Sequence, residues 1–404
     1  MLNLFQHLPL GQPITWLSAN NSASKRKMLK QVQHDVQLFH FMLKLPWLCL
    51  ALGLSTCQSS APTQTAAVET PVSGKYAPGN KMGGVSFVAP RQAIDSATLG
   101  AVKRVNANWV ALIPYAMVGR EGGSQQERLP LHYNHPRQMW GETHAGVAAC
   151  AQLAHRQGLK VMVKPQVWLH RGTYTGHFLL ENEEEWRAFE AQYRDYILGF
   201  ARVSDSLGVE VFCLGTEFDG FVEKRPDFWK SLIVDVRGVF HGKLTYAANW
   251  NSYRAFPHWQ ALDFVGVNAY FPLCPRDTPT AETLDEHWKP WVREVETFQR
   301  AQKKPILFTE YGYRSLDGCA KEPWESSRDA PTNPEAQRLS YEALYRQFWA
   351  KPWVAGGFLW KWYDRDQLAD GDSRWFRRQT DYTPQGKPVE ATIRAWYGKK
   401  NAEF

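Results

Sequence analysis

From Gly83 onward the chain alternates short apolar runs with longer stretches whose hydrophobic positions recur at helical spacing. The runs are GGVSFV (83–88), NWVALI (108–113), LKVMVKP (159–165), VEVFCL (209–214), KLTYAA (243–248), DFVGVNAY (263–270), PILFTE (305–310) and AGGFLWKW (355–362). Each is nearly continuous rather than alternating, which predicts strands buried on both faces, as in parallel sheets. Between them, HAGVAACAQLAHRQG (144–158), EEEWRAFEAQYRDYILGFARVSDSLG (183–208) and NPEAQRLSYEALYRQFWA (333–350) predict helices. Eight such units predict an α/β fold, a (β/α)8 TIM barrel built as one domain from residues 82–404. An open doubly wound sheet is the competing architecture, but no glycine-rich phosphate loop follows GGVSFV.

Ahead of the barrel the pattern changes character. MLKLPWLCLALGLSTC (42–57) places a Lys before a ten-residue apolar run, Leu45 to Leu54, and then small residues. That run is too short to cross a bilayer and has the length of a signal-peptide core. LSTC also resembles a bacterial lipoprotein box, which would make Cys57 the lipidated residue. Thr56 departs from the Gly, Ala or Ser favoured there, so a plain secretory signal competes. Residues 1–41 fit neither a signal nor a domain and read as a start-site artefact, with translation beginning at Met42. Residues 58–81, rich in Ser, Thr, Ala and Pro, read as a flexible tether. The expected location is the cell envelope, either anchored in the membrane through Cys57 or free in the periplasm.

Charge changes the picture once the leader is set aside. The full chain carries a formal charge of +7, but residues 1–56 hold five of the basic residues and one acid. The rest has 42 basic and 39 acidic side chains, no footprint for nucleic acid. A monomer is expected. Cys150 on a helical pattern and Cys213 in a strand read as buried and free. Cys274 and Cys319 fall in loops, free to pair or not if the protein is exported, since the sequence leaves that open. HYNH (132–135) lacks further zinc-ligand spacing, and DRDQLADGD (364–372) breaks the calcium-loop pattern, so no metal or cofactor is expected. The 18 Trp among 404 residues suggest more flat apolar surface than a core needs.

A barrel of this kind places its active site at the C-terminal ends of the strands. There the chain carries Tyr115, Lys164, Trp168, Glu217, Asn249, Trp250, Asn268, Tyr270, Glu310 and Trp360. Glu217 ends the fourth run and Glu310 the seventh. Two carboxyl groups facing each other across the mouth can hydrolyse a glycosidic bond, one protonating the leaving oxygen and the other attacking the anomeric carbon. A separation of about 5–5.5 Å gives retention, and a wider gap admits water and gives inversion. Taken singly, either glutamate reads better as a cap, an ion-pair partner or a solvated loop residue; the pair inside an aromatic-rich rim is what points to catalysis. Trp360 is suited to floor the sugar site, and Tyr270 to hydrogen-bond the attacking carboxylate. Asn268, Asn249 and Lys164 offer donors to hydroxyls. Trp168 and Trp250 offer outer stacking surfaces, with ordinary packing as the competing reading.

The segments GVSF, HAGVAACAQLAHRQGLKVMVKPQVW, LGTEF, DFVGVNAYFPL, KPILFTEYGYRS, GGFLWKW and DYTPQGKP run in order from about Gly83 to Tyr397. They resemble the retaining glycosidases whose acid/base and nucleophile glutamates end strands four and seven. More narrowly, the chain is similar to glycoside hydrolase family 113, whose characterised members are endo-β-1,4-mannanases. The resemblance implies Glu217 as acid/base, Glu310 as nucleophile and a β-linked glycan, β-1,4-mannan first, as substrate. Thr216 stands where most of the wider clan places an Asn that binds the sugar 2-hydroxyl, which leaves that contact unassigned. Action on another β-glycan, or a carbohydrate-binding lipoprotein without turnover, are the alternatives.

Overall fold

The structure, a computed structural model, describes residues 76, 78–119, 130–135, 138–169, 173–364 and 379–399, all within one compact unit. Residues 1–41, the signal segment with Cys57, nearly all of the tether and most of DRDQLADGD lie outside the described residues.

Eleven strands are described: β1 (Met82–Phe87), β2 (Trp109–Leu112), β3 (Tyr115–Val118), β4 (Leu131–His132), β5 (Lys160–Val163), β6 (Gln166–Leu169), β7 (Val211–Thr216), β8 (Lys243–Asn249), β9 (Val265–Asn268), β10 (Ile306–Tyr311) and β11 (Val354–Trp362). Of these, β1, β2, β5, β7, β8, β9, β10 and β11 close a barrel in chain order, every neighbouring pair parallel. They are the eight apolar runs, shifted by a few residues at most. Met82, Trp109, Met162, Val211, Leu307 and Phe358 fill the barrel interior. A larger apolar layer lies between the strands and the surrounding helices.

Helices α1 (Ser96–Gly100), α2 (His144–Arg156), α3 (Glu183–Ser206), α4 (Asp219–Lys224), α5 (Pro226–Arg237), α6 (Ala281–Gln302), α7 (Pro334–Phe348) and α8 (Val389–Gly398) surround the barrel. Their starts are set by local chemistry. Thr143 accepts from the Gly146 amide at the head of α2, and Asn182 from the Glu185 amide at the head of α3. Glu183, Glu184 and Glu185 then put negative charge on the first turn of α3, where the helix dipole favours it. Asn333 caps α7 with Pro334 at its first position.

Three strands fall outside the barrel, a feature the apolar pattern does not predict. β2 and β5 are barrel neighbours, and each is followed two residues later by a proline, Pro114 and Pro165. Proline cannot donate to a ladder, so each strand loses a donor there, while the Lys164 amide still reaches the Leu112 carbonyl at 2.8 Å and the Gln166 amide the Pro114 carbonyl at 2.9 Å. Both segments run on in the same register as β3 and β6, with Tyr115 opposite Gln166 and Met117 opposite Trp168, and β4 adds to the outer side of β3. The Tyr196 hydroxyl of α3 lies 3.0 Å from the carbonyls of both Pro114 and Gln166 and ties this junction to the helix layer.

The pairing of Cys274 with Cys319, left open by the sequence, is not formed. Cys274 and Cys319 are both buried free thiols, and the sulfur of Cys319 lies 3.8 Å from the Ser340 hydroxyl instead. Their loops do meet, because the Cys274 amide reaches the Ala320 carbonyl, but through backbone rather than sulfur. Cys150 and Cys213 are buried and free as expected.

The seam between β1 and β11 depends on Gly356. It adopts φ +127°, and a Cβ there would come 2.4 Å from the Met82 carbonyl oxygen and 2.5 Å from the Met82 nitrogen. Neither backbone atom can move without opening the barrel. Gly356→Ala is therefore expected to destabilise the fold by at least about 2 kcal/mol, read as a lower urea midpoint at unchanged slope.

Candidate active site

Glu310 is the penultimate residue of β10, buried at 4% exposure. Three donors converge on it. Lys164, just past β5, and Gln166, which opens β6, both donate to Oε1, the Gln166 contact at 2.9 Å. The Tyr270 hydroxyl donates to Oε2 at 2.9 Å. The Lys164 ammonium is wholly buried beside the carboxylate, so the pair is charge-matched where water is excluded. Lys164 and Gln166 stand two residues apart on an extended chain that keeps its register across Pro165, so their side chains share one face and meet at one oxygen.

Glu217 follows directly after β7 and is also buried. Its backbone sits at φ +52°, in the left-handed region that a non-glycine residue seldom adopts. Two contacts hold it there: its own amide donates to the Ala247 carbonyl at 2.9 Å, and the next amide, of Phe218, to the Tyr246 hydroxyl at 2.8 Å. Asn268 Nδ2 donates to Glu217 Oε1 at 2.9 Å, while the Thr309 hydroxyl donates to Asn268 Oδ1, also at 2.9 Å. The amide of Asn268 is thereby oriented, its NH2 toward the carboxyl. Burial pushes the Glu217 carboxyl up to about 7, and the nearby charge of Glu310 adds to the shift. Asn268, Lys164 and Asp219 act as smaller influences, the first two downward and Asp219 upward.

A second polar group lies behind Glu217. Asn249 Nδ2 donates to the Tyr174 hydroxyl at 2.6 Å, and Tyr174 donates to Asp219 at 3.2 Å. Ser252 completes the Asp219 carboxylate at 2.7 Å. A cavity of about 430 Å³ opens beside Asp219 and Ser252, walled by Val222 and Phe256.

Aromatic rings line the mouth. Trp360, at 2% exposure, forms a floor with Tyr270, Tyr382 and Ile113, and the Lys164 ammonium lies 5.6 Å from its ring centre. Trp250 and Trp324 stack at 5.0 Å on one flank, and Tyr115 and Trp168 meet edge-on at 6.4 Å on the other.

All ten residues expected at the strand ends are therefore at the mouth, but several do other work than expected. Lys164 and Asn268 serve the two glutamates rather than standing open to hydroxyls, and Asn249 is committed to Tyr174 and to the Trp250 amide. Gln166, Tyr174, Thr309, Trp324 and Tyr382 were missed. Of these, Gln166 and Thr309 carried a signal, standing two residues after Lys164 and one before Glu310. The Thr216 hydroxyl is buried without a hydrogen-bond partner. Among the described residues no group of three or more His, Cys, Asp or Glu side chains could hold a metal ion.

The family model of Glycoside Hydrolase Family 113 matches residues 89–387. The chain belongs to glycoside hydrolase family 113. This glycoside hydrolase shares 26% identity with a GH113 β-mannanase from Alicyclobacillus acidocaldarius solved in complex with ManMIm, covering 79% of this chain and 97% of that one at a TM-score of 0.66. A GH113 β-1,4-mannanase complex is 21% identical over 80% of this chain and all of its own, also at 0.66. A β-glucuronidase from Ruminococcus gnavus in complex with a C6-substituted uronic isofagomine shares the fold at 13% identity and a TM-score of 0.51, matching 78% of this chain and 50% of its own length. No curated protein matches the chain.

Two stability effects follow from the geometry. Lys164→Met leaves the buried Glu310 carboxylate without its cation and is expected to cost about 3 kcal/mol or more, measured by urea unfolding at pH 7. Glu217 keeps its proton to a higher pH folded than the ordinary 4.5. The folded state then binds more protons than the unfolded between about 4.5 and 7, and stability falls as pH rises across that window. Glu217→Gln is expected to raise the melting temperature at pH 8 and to leave it near wild type at pH 4.

Proposed function

We propose that this glycoside hydrolase cleaves β-1,4-mannan with retention, by double displacement, with Glu310 as nucleophile and Glu217 as acid/base. The observation that carries the reading is the contrast between two neighbouring carboxyl groups. One is gripped by three donors including a buried ammonium, and the other is pushed by burial to hold a proton near neutrality. The mannanase neighbours support the choice of glycan.

In the first step a Glu310 oxygen bonds to the anomeric carbon as the glycosidic C–O bond breaks, and the Glu217 proton passes to the departing oxygen. The product is a glycosyl ester on Glu310 and a free sugar hydroxyl. Forming that ester removes the Glu310 charge, one of the causes that raise Glu217. The downward pull of Lys164 on Glu217 is then no longer opposed by that charge, so the proton affinity of Glu217 falls and, having given its proton away, it stays ionised as the base of the second step. In the second step Glu217 takes a proton from water, whose oxygen attacks the anomeric carbon and releases Glu310. Two inversions give net retention. Tyr270 and Gln166 orient Glu310 through both steps, and Trp360 underlies the ring being cleaved.

The decisive experiment uses purified residues 82–404 on a panel of β-glycans. Mannan is expected to release reducing ends fastest, with the β-anomer formed first by NMR. Glu310→Ala is expected to lose at least about 10⁴-fold in kcat while still binding mannan. Added azide should restore turnover of an activated glycoside with the α-glycosyl azide as product. Binding without turnover across the panel, or an α-anomer as first product, overturns the reading. Because Glu217 must be protonated to act as acid, kcat/KM is expected to fall as pH rises through about 7.

A further inference from the structure

The end of the barrel opposite the mouth carries an uneven charge. There the surrounding helices stop and short connections lead into the next strand. Those connections, up to the first residue of each strand, supply Lys160, Lys243, Lys303, Lys304 and Lys351. Lys399 follows α8 at the same end, where Gly398 lies against Asn106 just before β2. Lys160, Lys243 and Lys303 are exposed and the other three half-buried. Two carboxylates share these segments, and both are engaged. Glu210 accepts from the Val161 amide at 2.8 Å, and Asp263 is held by Arg237 at 2.6 Å and Lys243 at 2.8 Å. Past residue 56 the chain has 42 basic and 39 acidic side chains, a surplus of three. Six lysines against two carboxylates leave four, so this one end holds more than the whole surplus.

The chain also enters the barrel at this end. Tyr76 packs edge-on against Phe264, just before β9, at 6.0 Å, and the Lys81 ammonium turns inward to the Lys351 and Val354 carbonyls at 2.5 and 2.6 Å. Eighteen residues, 58–75, separate this entry from Cys57. Extended they reach about 60 Å at most, and as a flexible coil about 25 Å. A barrel anchored through Cys57 on such a lead meets a bilayer with this end first, at an effective concentration on the order of millimolar, where weak attraction suffices. The lysines suit that contact. They are spread over four connections and the end of α8, rather than along a groove that could follow a nucleic-acid backbone. Half-buried Trp353 and Trp396 stand among them, with the Lys399 ammonium 3.4 Å from the Trp396 ring centre. Tryptophan and lysine are the residues favoured at a headgroup boundary.

We infer that the strand-start end of the barrel docks on an anionic lipid surface, leaving the mouth with Glu217 and Glu310 turned outward to polymeric substrate. Such docking is independent of the glycan cleaved.

The test sediments the chain from Gln58 onward, which holds the whole compact unit and lacks the apolar leader, with vesicles of phosphatidylcholine alone or with one third phosphatidylglycerol. Binding is expected to the anionic vesicles alone, and it should fall away as salt rises from about 0.03 to about 0.5 M and screens the lysines. Lys160→Gln, Lys303→Gln and Lys399→Gln together are expected to weaken binding about 100-fold, about fivefold for each lysine, with the melting temperature unchanged. Lys224→Gln, Lys230→Gln and Lys289→Gln remove the same charge from α4, α5 and α6, away from this end, and are expected to change binding less than about twofold. If the first triple variant melts early, Lys303→Gln alone decides, with its fivefold loss expected. Absence of binding to anionic vesicles at low salt, equal loss in both triple variants, or tighter binding to a DNA duplex than to the vesicles overturns the docking.

Discussion

A carboxylate as buried as Glu310 is tolerable only where its charge and lone pairs are met from within the protein, and three side chains from two pieces of chain meet them. Lys164 comes from the end of β5, Gln166 from the start of β6 and Tyr270 from beyond β9. Loss of any of them leaves a buried carboxylate less well met, so the clamp ties together strand ends on opposite sides of the barrel mouth. The register agrees: Glu310 lies opposite Asn268, and Asn268 opposite Asn249, one level around that side of the mouth. Glu217 is joined to this level through Asn268, whose orientation is in turn set by Thr309, the residue before Glu310. The two glutamates are thus placed by one connected set of hydrogen bonds rather than by two independent ones.

The same clamp draws on the continuation of a barrel strand past its last barrel rung. Pro114 and Pro165 each remove a donor at the same level, but the Lys164 amide still reaches the Leu112 carbonyl and the Gln166 amide the Pro114 carbonyl, so β3 and β6 run on in the register of β2 and β5. Lys164 and Gln166, two residues apart on this extended chain, share one face and both reach one oxygen of Glu310. Tyr196 holds the junction from the helix layer, so a residue of the outer shell takes part in setting a contact at the centre.

The eight barrel strands were legible because burial on both faces leaves unbroken apolar runs, and the glutamates because two carboxyl groups fall at the ends of the fourth and seventh of these runs, on facing sides of one barrel mouth. Lys164, Asn268 and Tyr270 were legible as positions but not as roles. Whether a strand-end amide faces a sugar or a carboxyl depends on its hydrogen-bond partner across the barrel, which spacing along one strand does not encode. Tyr174, Trp324 and Tyr382 come from long connections without periodicity. Trp324 is found only because it stacks on Trp250, and Tyr382 because its ring packs on Tyr270 and its hydroxyl reaches the Pro323 carbonyl. The small sheet was hidden for a different reason: its strands directly extend barrel strands in sequence, and only the prolines mark the break.

The positive φ at Glu217 belongs with this economy. Ending β7 in the left-handed region costs about 1–2 kcal/mol for a side chain with a Cβ. The turn it makes brings Phe218 into an aromatic cluster with Phe178, Tyr193 and Phe221 while aiming the carboxyl back over the barrel. An ordinary strand end would send the following residues along the wall and leave the carboxyl in water, where burial could no longer hold its proton. The packing of Phe218 and the bond from its amide to Tyr246 offset the local strain. Core packing on one side of the turn thus maintains, on the other, a carboxyl whose proton affinity is set by exclusion from solvent, and the barrel needs both sides to present two unlike acids at one level.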